Sequence, residues 1–256
     1  MKWPRIMTLG LLALGGMALI HPAPVMGAQE LTVSAAASLT NAFPEIGKRF
    51  EQQHPGTKII FNFAASGPLL QQIAQGAPVD VFASADQKTM NQAQEKGLIV
   101  PASRKNFVSN TLVLIIPLDS KLEVSGLKDL ARPEVKRVAL GNPASVPVGR
   151  YTQEALTKAG LWEELQPKLI MGESVRQVLD YVSRGEVDAG FVFATDAAIA
   201  KGKVKIVTAV QGHQPIVYPV ALVSASSKQV LGQEFLNFLF APESVAIFSK
   251  YGFGKP

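Results

Sequence analysis

Two kinds of apolar segment alternate along the chain from residue 29 onward. Short runs rich in β-branched residues, such as Leu31–Ala35, predict buried strands, and longer amphipathic runs, such as Leu39–Gln53, predict helices. This alternation is typical of a mainly parallel sheet flanked by helices, so we expect an α/β fold. The pattern predicts strands at 58–63, 79–83, 110–117, 137–140, 168–171, 188–193, 204–207 and 215–224, and helices at 68–75, 86–96, 147–159, 174–184, 228–240 and 242–250.

Two long apolar segments divide this series. They are N-T-L-V-L-I-I-P at 110–117 and P-I-V-Y-P-V-A-L-V-S at 215–224, and the block between them has its own strand–helix series. This arrangement predicts a second lobe (110–217) inserted into a first lobe (29–109 and 218–256). Two lobes joined by two crossing strands form a type II-like clamshell with a cleft in which a small ligand can bind. The alternative is one continuous doubly wound domain.

The first 28 residues have the pattern of a secretory signal peptide. Lys2 and Arg5 precede an uncharged apolar run, Ile6–Ile20, and a segment of small residues follows. The run is shorter than the roughly 20 residues that a spanning helix needs, so a membrane anchor is the weaker reading. We expect cleavage after Gly27 or Ala28 and release into the periplasm.

Composition excludes several classes of protein. The chain has no cysteine, so it is neither a disulfide-stapled scaffold nor a lipid-anchored lipoprotein. Its net charge of +5 comes from scattered residues, which does not favour nucleic acid binding. The histidines, His21, His54 and His213, show no metal-ligand spacing, and no nucleophile elbow or phosphate loop occurs. We therefore predict no enzymatic activity and no cofactor.

Four connections from a strand to the following helix contain residues that could bind a ligand. Ser38, Ser66 and Ser174 each stand just before a predicted helix, and Pro147 starts another, which leaves the amide of Val148 without a helical partner. Helix N-termini offer free N–H donors and partial positive charge, so several directed at one cleft form an anion site. The plainer alternative is that each serine only caps its helix.

Specific motifs lie along the whole chain after residue 28: A-A-A-S-L-T-N-A (35–42), G-A-P-V-D-V-F-A-S-A-D (76–86), V-P-V-G-R-Y (146–151), G-E-S-V-R (172–176), G-F-V-F-A-T-D-A (190–197) and K-Y-G-F (250–253). Together they resemble the periplasmic molybdate-binding proteins of ABC importers. The resemblance implies that the hydroxyls of Ser38 and Ser66 and the amides of Val148 and Val175 donate to the oxygens of molybdate or tungstate. Phe193 stands where members of that family commonly have a tyrosine whose hydroxyl reaches the anion.

The resemblance also implies a membrane permease as partner for a monomeric receptor, and molybdenum bound only as its oxyanion, without direct protein ligands. Another tetrahedral oxyanion, chiefly sulfate, is the first alternative, because no motif sets the size of the cavity. A ferric or carboxylate receptor, an effector domain of a transcription regulator, and a secreted hydrolase using Ser38 or Ser66 as nucleophile are more remote. The hydrolase would need a histidine or lysine base near its serine.

Overall fold

The computed structural model of the protein describes residues 29–256, together with Met1 and Trp3. The predicted signal peptide, apart from those two residues, lies outside the described residues. Among the helices that the structure describes, none has the length and apolar character needed to cross a membrane.

The first lobe is built on a five-stranded sheet in the order β2-β1-β3-β10-β4. β1, β2 and β3 are parallel, and β10 runs antiparallel to both β3 and β4, so four strands point the same way. A parallel set of this kind brings the carboxyl ends of its strands to one edge. The strands are β1 (Gln29–Ala36), β2 (Thr57–Ala64), β3 (Val81–Ala83), β4 (Lys105–Ser109) and β10 (Val217–Leu222).

The second lobe repeats this plan with the order β7-β6-β8-β5-β9. β6, β7 and β8 are parallel, while β5 runs antiparallel to its neighbours β8 and β9. Both sheets are flanked by helices, and the two-lobed α/β fold predicted from the sequence is confirmed. The strands are β5 (Leu112–Pro117), β6 (Val138–Gly141), β7 (Leu169–Gly172), β8 (Ala189–Phe193) and β9 (Val204–Ala209).

The α-helices pack against the two sheets, and most of them follow a strand after a short connection. The helices of the first lobe are α1 (Ala42–Gln53), α2 (Ser66–Ala74), α3 (Gln87–Glu95), α8 (Gln229–Phe238) and α9 (Pro242–Lys250). Those of the second lobe are α4 (Pro147–Lys158), α5 (Trp162–Leu165), α6 (Val175–Ser183) and α7 (Ala194–Ile199). Gly76 and Gly97, which we expected to end α2 and α3, adopt φ values of +85° and +67°, a conformation open to glycine at little cost.

The strands predicted at 110–117 and 215–224 are present as β5 and β10, but neither of them crosses between the lobes, because each belongs to one sheet only. The first crossing lies at Asn110 and Thr111, between β4 of one sheet and β5 of the other. The second passes through residues 210–216, outside any strand, before β10 begins. The amide of Asn110 donates to the carbonyl of Ile216 at 3.1 Å, so the crossings are tied to each other.

Candidate functional site

The carboxyl ends of strands from both lobes surround one small cavity. β1, β2 and β3 contribute from the first lobe, and β8 and the N-termini of α4 and α6 contribute from the second. The cavity volume is only ≈ 10 Å³, about the space that one water molecule requires. Every lining residue is alanine, serine, valine, proline or phenylalanine: Ala36, Ala37, Ser38, Ala65, Ser66, Ala85, Val146, Pro147, Val148, Val175 and Phe193. The five residues singled out in the sequence (Ser38, Ser66, Val148, Val175 and Phe193) therefore meet at one place.

Ser38 reaches the cavity from a single 3-10 turn, Ala37–Leu39, that follows β1. It is not the N-cap of α1, because Asn41 holds that position and makes no side-chain capping bond. The Ser38 side chain is buried, and its Oγ lies 2.8 Å from the hydroxyl of Tyr218 on β10. A capping role, the plain alternative for this serine, is thus contradicted by the structure.

Ser66 is the first residue of α2, and Ala65 is the N-cap. Its side chain is fully buried, and its Oγ accepts a hydrogen bond from the amide of Ala85 at 3.0 Å. A hydroxyl that already accepts an N–H keeps its own proton for another partner. Ser66 is thereby left with a donor at the cavity wall.

Two backbone amides of the second lobe complete the set of donors. Val148 is the second residue of α4 and Val175 the first residue of α6, positions at which an amide has no acceptor within its own helix. α4 approaches β6 so closely that a Cβ at Gly149 would lie 1.8 Å from the carbonyl oxygen of Gly141. Glycine at 149 therefore fixes where the amide of Val148 is presented. Ser174 caps α6, as expected, by accepting from the amide of Gln177 at 3.2 Å.

Phe193 forms an apolar wall of the cavity. Its ring is buried and lies 5.9 Å from the ring of Tyr218 and 6.4 Å from that of Tyr151, measured between centroids. The Oγ1 of Thr195 accepts from Nδ2 of Asn110 at 2.9 Å, and Thr195 is not one of the residues that line the cavity. Thr195 therefore does not supply, at this cavity, the hydroxyl that relatives are expected to offer at position 193.

Two arginines stand close to the donors, and each is paired with a buried aspartate. Arg150 of α4 donates through Nε to Oδ2 of Asp86 at 2.7 Å, an ion pair that joins the second lobe to the first. Nε of Arg176 of α6 lies 2.7 Å from Oδ1 of Asp196 within the second lobe. Each aspartate neutralises its arginine, so the positive potential at the cavity comes from uncharged N–H and O–H donors and from the helix N-termini.

Asp196 is an unusual carboxylate because it is completely buried beside a single cation. Its Oδ1 lies 2.7 Å from Nε of Arg176, and Arg176 together with the backbone amides of Phe193 and of Asp196 itself favours the charged form. Burial outweighs these interactions and raises the pKa of Asp196 to about 6.

This shift predicts a pH dependence of stability. Between an unfolded pKa of 3.8 and a folded pKa of about 6, the folded protein holds one proton more than the unfolded chain. The stabilisation is present below the lower value and is lost as pH rises through the upper one, on the order of 3 kcal/mol in all. We expect urea unfolding of the wild type to show this loss between about pH 4 and 6. The difference from Asp196→Asn should then change with pH only in that window, and parallel profiles would contradict the assignment.

Sequence reasoning missed several residues of the site. Tyr218, Asn110 and Ala85 contact the predicted serines or their partners, and Arg150 and Arg176 lie inside the motifs but were not assigned a role. Asn110 and Tyr218 could have been singled out from the sequence, because they lie at the two connections between the lobes. In a clamshell protein, these connections form the back of the cleft.

Comparison with known proteins places this architecture in a family. The model of the bacterial extracellular solute-binding proteins matches residues 31–254. YvgL of Bacillus subtilis is 41% identical over 87% of this chain and 85% of its own, and the molybdate-binding protein ModA of Escherichia coli is 39% identical over 88% of each. The structure of the periplasmic molybdate-binding protein of Azotobacter vinelandii superposes with a TM-score of 0.77 at 26% identity, covering 88% of this chain and 99% of that one. This chain belongs to the bacterial extracellular solute-binding proteins.

Proposed function

We propose that this protein binds molybdate, and tungstate in its place, in the cavity between its lobes and delivers the anion to the permease of an ABC importer. The observation that carries the proposal is an interlobe cavity with a wholly uncharged lining, bordered by two hydroxyls and two helix-start amides. Its ≈ 10 Å³ is less than a molybdate ion occupies, so the cavity walls must separate when the anion binds. Ser38, Ser66, Val148 and Val175 are the proposed ligands. The names of the relatives in Escherichia coli and Azotobacter vinelandii support the same anion.

The chemistry of the ligand agrees with this set of donors. Molybdate near neutral pH is a dianion without a proton, so its oxygens accept hydrogen bonds and donate none. Hydrogen bonds to a charged group each contribute about 1.5–3 kcal/mol, so a few in a dry cavity hold a dianion without a salt bridge. Hydrogen phosphate would bring a proton that needs an acceptor, and no side chain lining the cavity carries a carboxylate.

A solute receptor also fits the site better than a hydrolase. Ser38 Oγ contacts the hydroxyl of Tyr218, and Ser66 Oγ contacts a backbone amide, so neither contact is a base that could remove a serine proton. His54 and His213 bond to backbone carbonyls of their own segments. We accordingly propose a binding protein without catalytic activity and without a cofactor.

The proposal includes the route by which the protein works. Cleavage of residues 1–28 would release a monomer into the periplasm, and closure of lobe 110–217 against residues 29–109 and 218–256 would enclose the anion. The closed form is the state that a permease would recognise, because only there do both lobes present one continuous rim around the ligand.

Calorimetric titration of the dialysed mature protein tests the choice of anion. We expect molybdate and tungstate to bind in a one-to-one ratio and sulfate and phosphate to bind far more weakly. Affinity for sulfate equal to that for molybdate would contradict the specific proposal and leave a general oxyanion receptor.

Serine substitutions test the proposed ligands. Ser38→Ala and Ser66→Ala should each weaken molybdate binding by about 1.5–3 kcal/mol, because each removes a donor to a charged oxygen. Ser103→Ala is the matched control, since Ser103 is equally buried in the first lobe but bonds to Val100 and Leu222. The control should melt earlier and bind normally. If the first two variants behave like the control, the serines serve only the fold.

A further inference from the structure

The hydrogen bonds behind Ser38 form a chain whose direction can be determined. Its members are Asn110 at the first crossing, Tyr218 on β10 and Ser38 itself, and they are joined to one another through their side chains. Tyr218 is fully buried, so its hydroxyl has no access to solvent. The direction matters because a serine hydroxyl can either donate to a ligand or accept from it.

The chain starts at a backbone amide that cannot reverse. The N–H of Thr111 donates to Oδ1 of Asn110 at 2.9 Å, which fixes that oxygen as the acceptor and leaves Nδ2 as the donor. Nδ2 lies 3.2 Å from the hydroxyl oxygen of Tyr218 and 2.9 Å from Oγ1 of Thr195. A flipped amide would place two donors face to face at Thr111, so this orientation is the stable one.

The next link follows from burial. The hydroxyl oxygen of Tyr218 accepts from Asn110, and its own proton needs an acceptor, because an unsatisfied buried O–H costs about 1–3 kcal/mol. Within the described part of the chain, the acceptor in contact is Oγ of Ser38, at 2.8 Å. Burial raises the pKa of the Tyr218 hydroxyl well above its ordinary value, so that proton is present at every physiological pH.

We infer that Tyr218, held by Asn110, is a positioning residue that makes Ser38 a one-way donor to the ligand. Ser38 Oγ accepts from Tyr218 and is left with its own proton directed at the cavity. The amide of Ala85 does the same for Ser66, so both serines face the ligand as donors. This inference rests on the proposed function, and it explains selection of oxyanions whose oxygens carry no proton.

A double-mutant cycle tests the inference through molybdate affinity. Tyr218→Phe removes only the hydroxyl, and we expect binding about 2- to 10-fold weaker, because Ser38 is then free to turn its proton away from the anion. In the Ser38→Ala background the same substitution should change affinity by less than about 2-fold, since Tyr218 acts through Ser38. Tyr251→Phe is the matched control, because its hydroxyl donates to Glu45 on the outside of the first lobe.

The outcomes separate this inference from the proposed function. If Tyr218→Phe weakens binding by the same factor in both backgrounds, or has no effect, Tyr218 is a structural residue and the inference is overturned while the anion site stands. If the wild type does not bind molybdate, the proposed function fails and the inference fails with it. If the wild type binds and Ser38→Ala binds equally well, Ser38 is not a ligand, so the inference is overturned while molybdate binding stands.

A second variant keeps the test decisive if Tyr218→Phe does not fold. Asn110→Ala removes the donor that orients Tyr218 and should likewise weaken binding by about 2- to 10-fold, only when Ser38 is present. Thermal unfolding without ligand shows whether each variant is folded. A loss for Asn110→Ala that persists unchanged in the Ser38→Ala background would overturn the inference.

Discussion

Replacing Gly67 by alanine should weaken molybdate binding by about 100-fold or more while leaving the ligand-free protein as stable as the wild type. Gly67 is the second residue of α2, and its amide donates across the cleft to the carbonyl of Ser145 at 3.0 Å. A Cβ at this position would lie 2.4 Å from the oxygen and 2.9 Å from the Cα of Ser145. Both are backbone atoms that no side-chain rotation can move away, so the lobes cannot close to their present distance.

The large effect follows from what incomplete closure removes. Val148 and Val175 belong to the second lobe. If that lobe does not close fully, both proposed amide donors remain too far from the anion to bind it. Two hydrogen bonds to a charged oxygen correspond to about 3–6 kcal/mol. The first lobe itself is not strained, because Gly67 has helical backbone geometry and alanine favours helix over glycine by up to about 1 kcal/mol.

Calorimetry with molybdate and thermal unfolding without it measure the two effects separately. Gly202→Ala is the control, since a Cβ at Gly202 meets no atom within 4 Å and its φ is not positive. Small-angle scattering should show the wild type becoming more compact with molybdate and Gly67→Ala less so. Unchanged affinity in Gly67→Ala would mean that the ligand is bound in a form more open than this structure.

The sequence predicted the strand-to-helix connections well, because the sequence signals that mark them are local. Apolar periodicity, a proline at the start of α4 and glycines after α2 and α3 lie within a few residues of the element that they define. Since parallel strands bring their carboxyl ends to one edge, the positions of Ser38, Ser66, Val148 and Val175 followed from the order of elements. Three elements were missed: the strand β4, which begins with the polar pair Lys105 and Asn106, and the helices α5 and α7, which are shorter than two helical turns.

The hydrogen-bond and ion-pair partners of residues in these connections could not be predicted, because the partners come from distant parts of the chain. Tyr218 is 180 residues from Ser38, and Arg150 is 64 residues from Asp86. A tyrosine in an apolar strand and an aspartate at a helix start fit many environments equally well. Ser38 was expected just before a helix, whereas the turn that carries it ends at Leu39 and α1 starts three residues later. That difference frees its hydroxyl from capping.

The Arg150–Asp86 ion pair connects the lobes, and its geometry suggests that it stabilises the closed form. Both side chains are largely buried, with 11% and 5% of their surface exposed. Arg150 also donates through Nη2 to Oγ1 of Thr89 on α3 at 2.8 Å, so one side chain of the second lobe holds two groups of the first. Opening the cleft would separate these groups and return them to water. The pair is thus made only when the lobes meet.

Breaking this pair should therefore shift the protein toward its open form and weaken molybdate binding. Asp86→Asn is the sharpest change, because asparagine keeps an oxygen that can accept from the amide of Thr89, as Oδ1 of Asp86 does at 3.1 Å, and so preserves the cap of α3. The remaining buried charge of Arg150 costs the closed form about 3–5 kcal/mol, or less if the lobes separate to relieve it. We expect affinity to fall by about 100-fold, with a larger radius of gyration for the ligand-free variant. Asp129→Asn is the control, since Asp129 accepts from Ser125 and Gly126 within the second lobe alone.

The double variant Asp86→Asn with Arg150→Met should bind better than Asp86→Asn, because no unpaired charge is then buried on closure. If the losses of affinity in Asp86→Asn and Arg150→Met simply add in the double variant, the two residues act independently and the ion pair does not control closure.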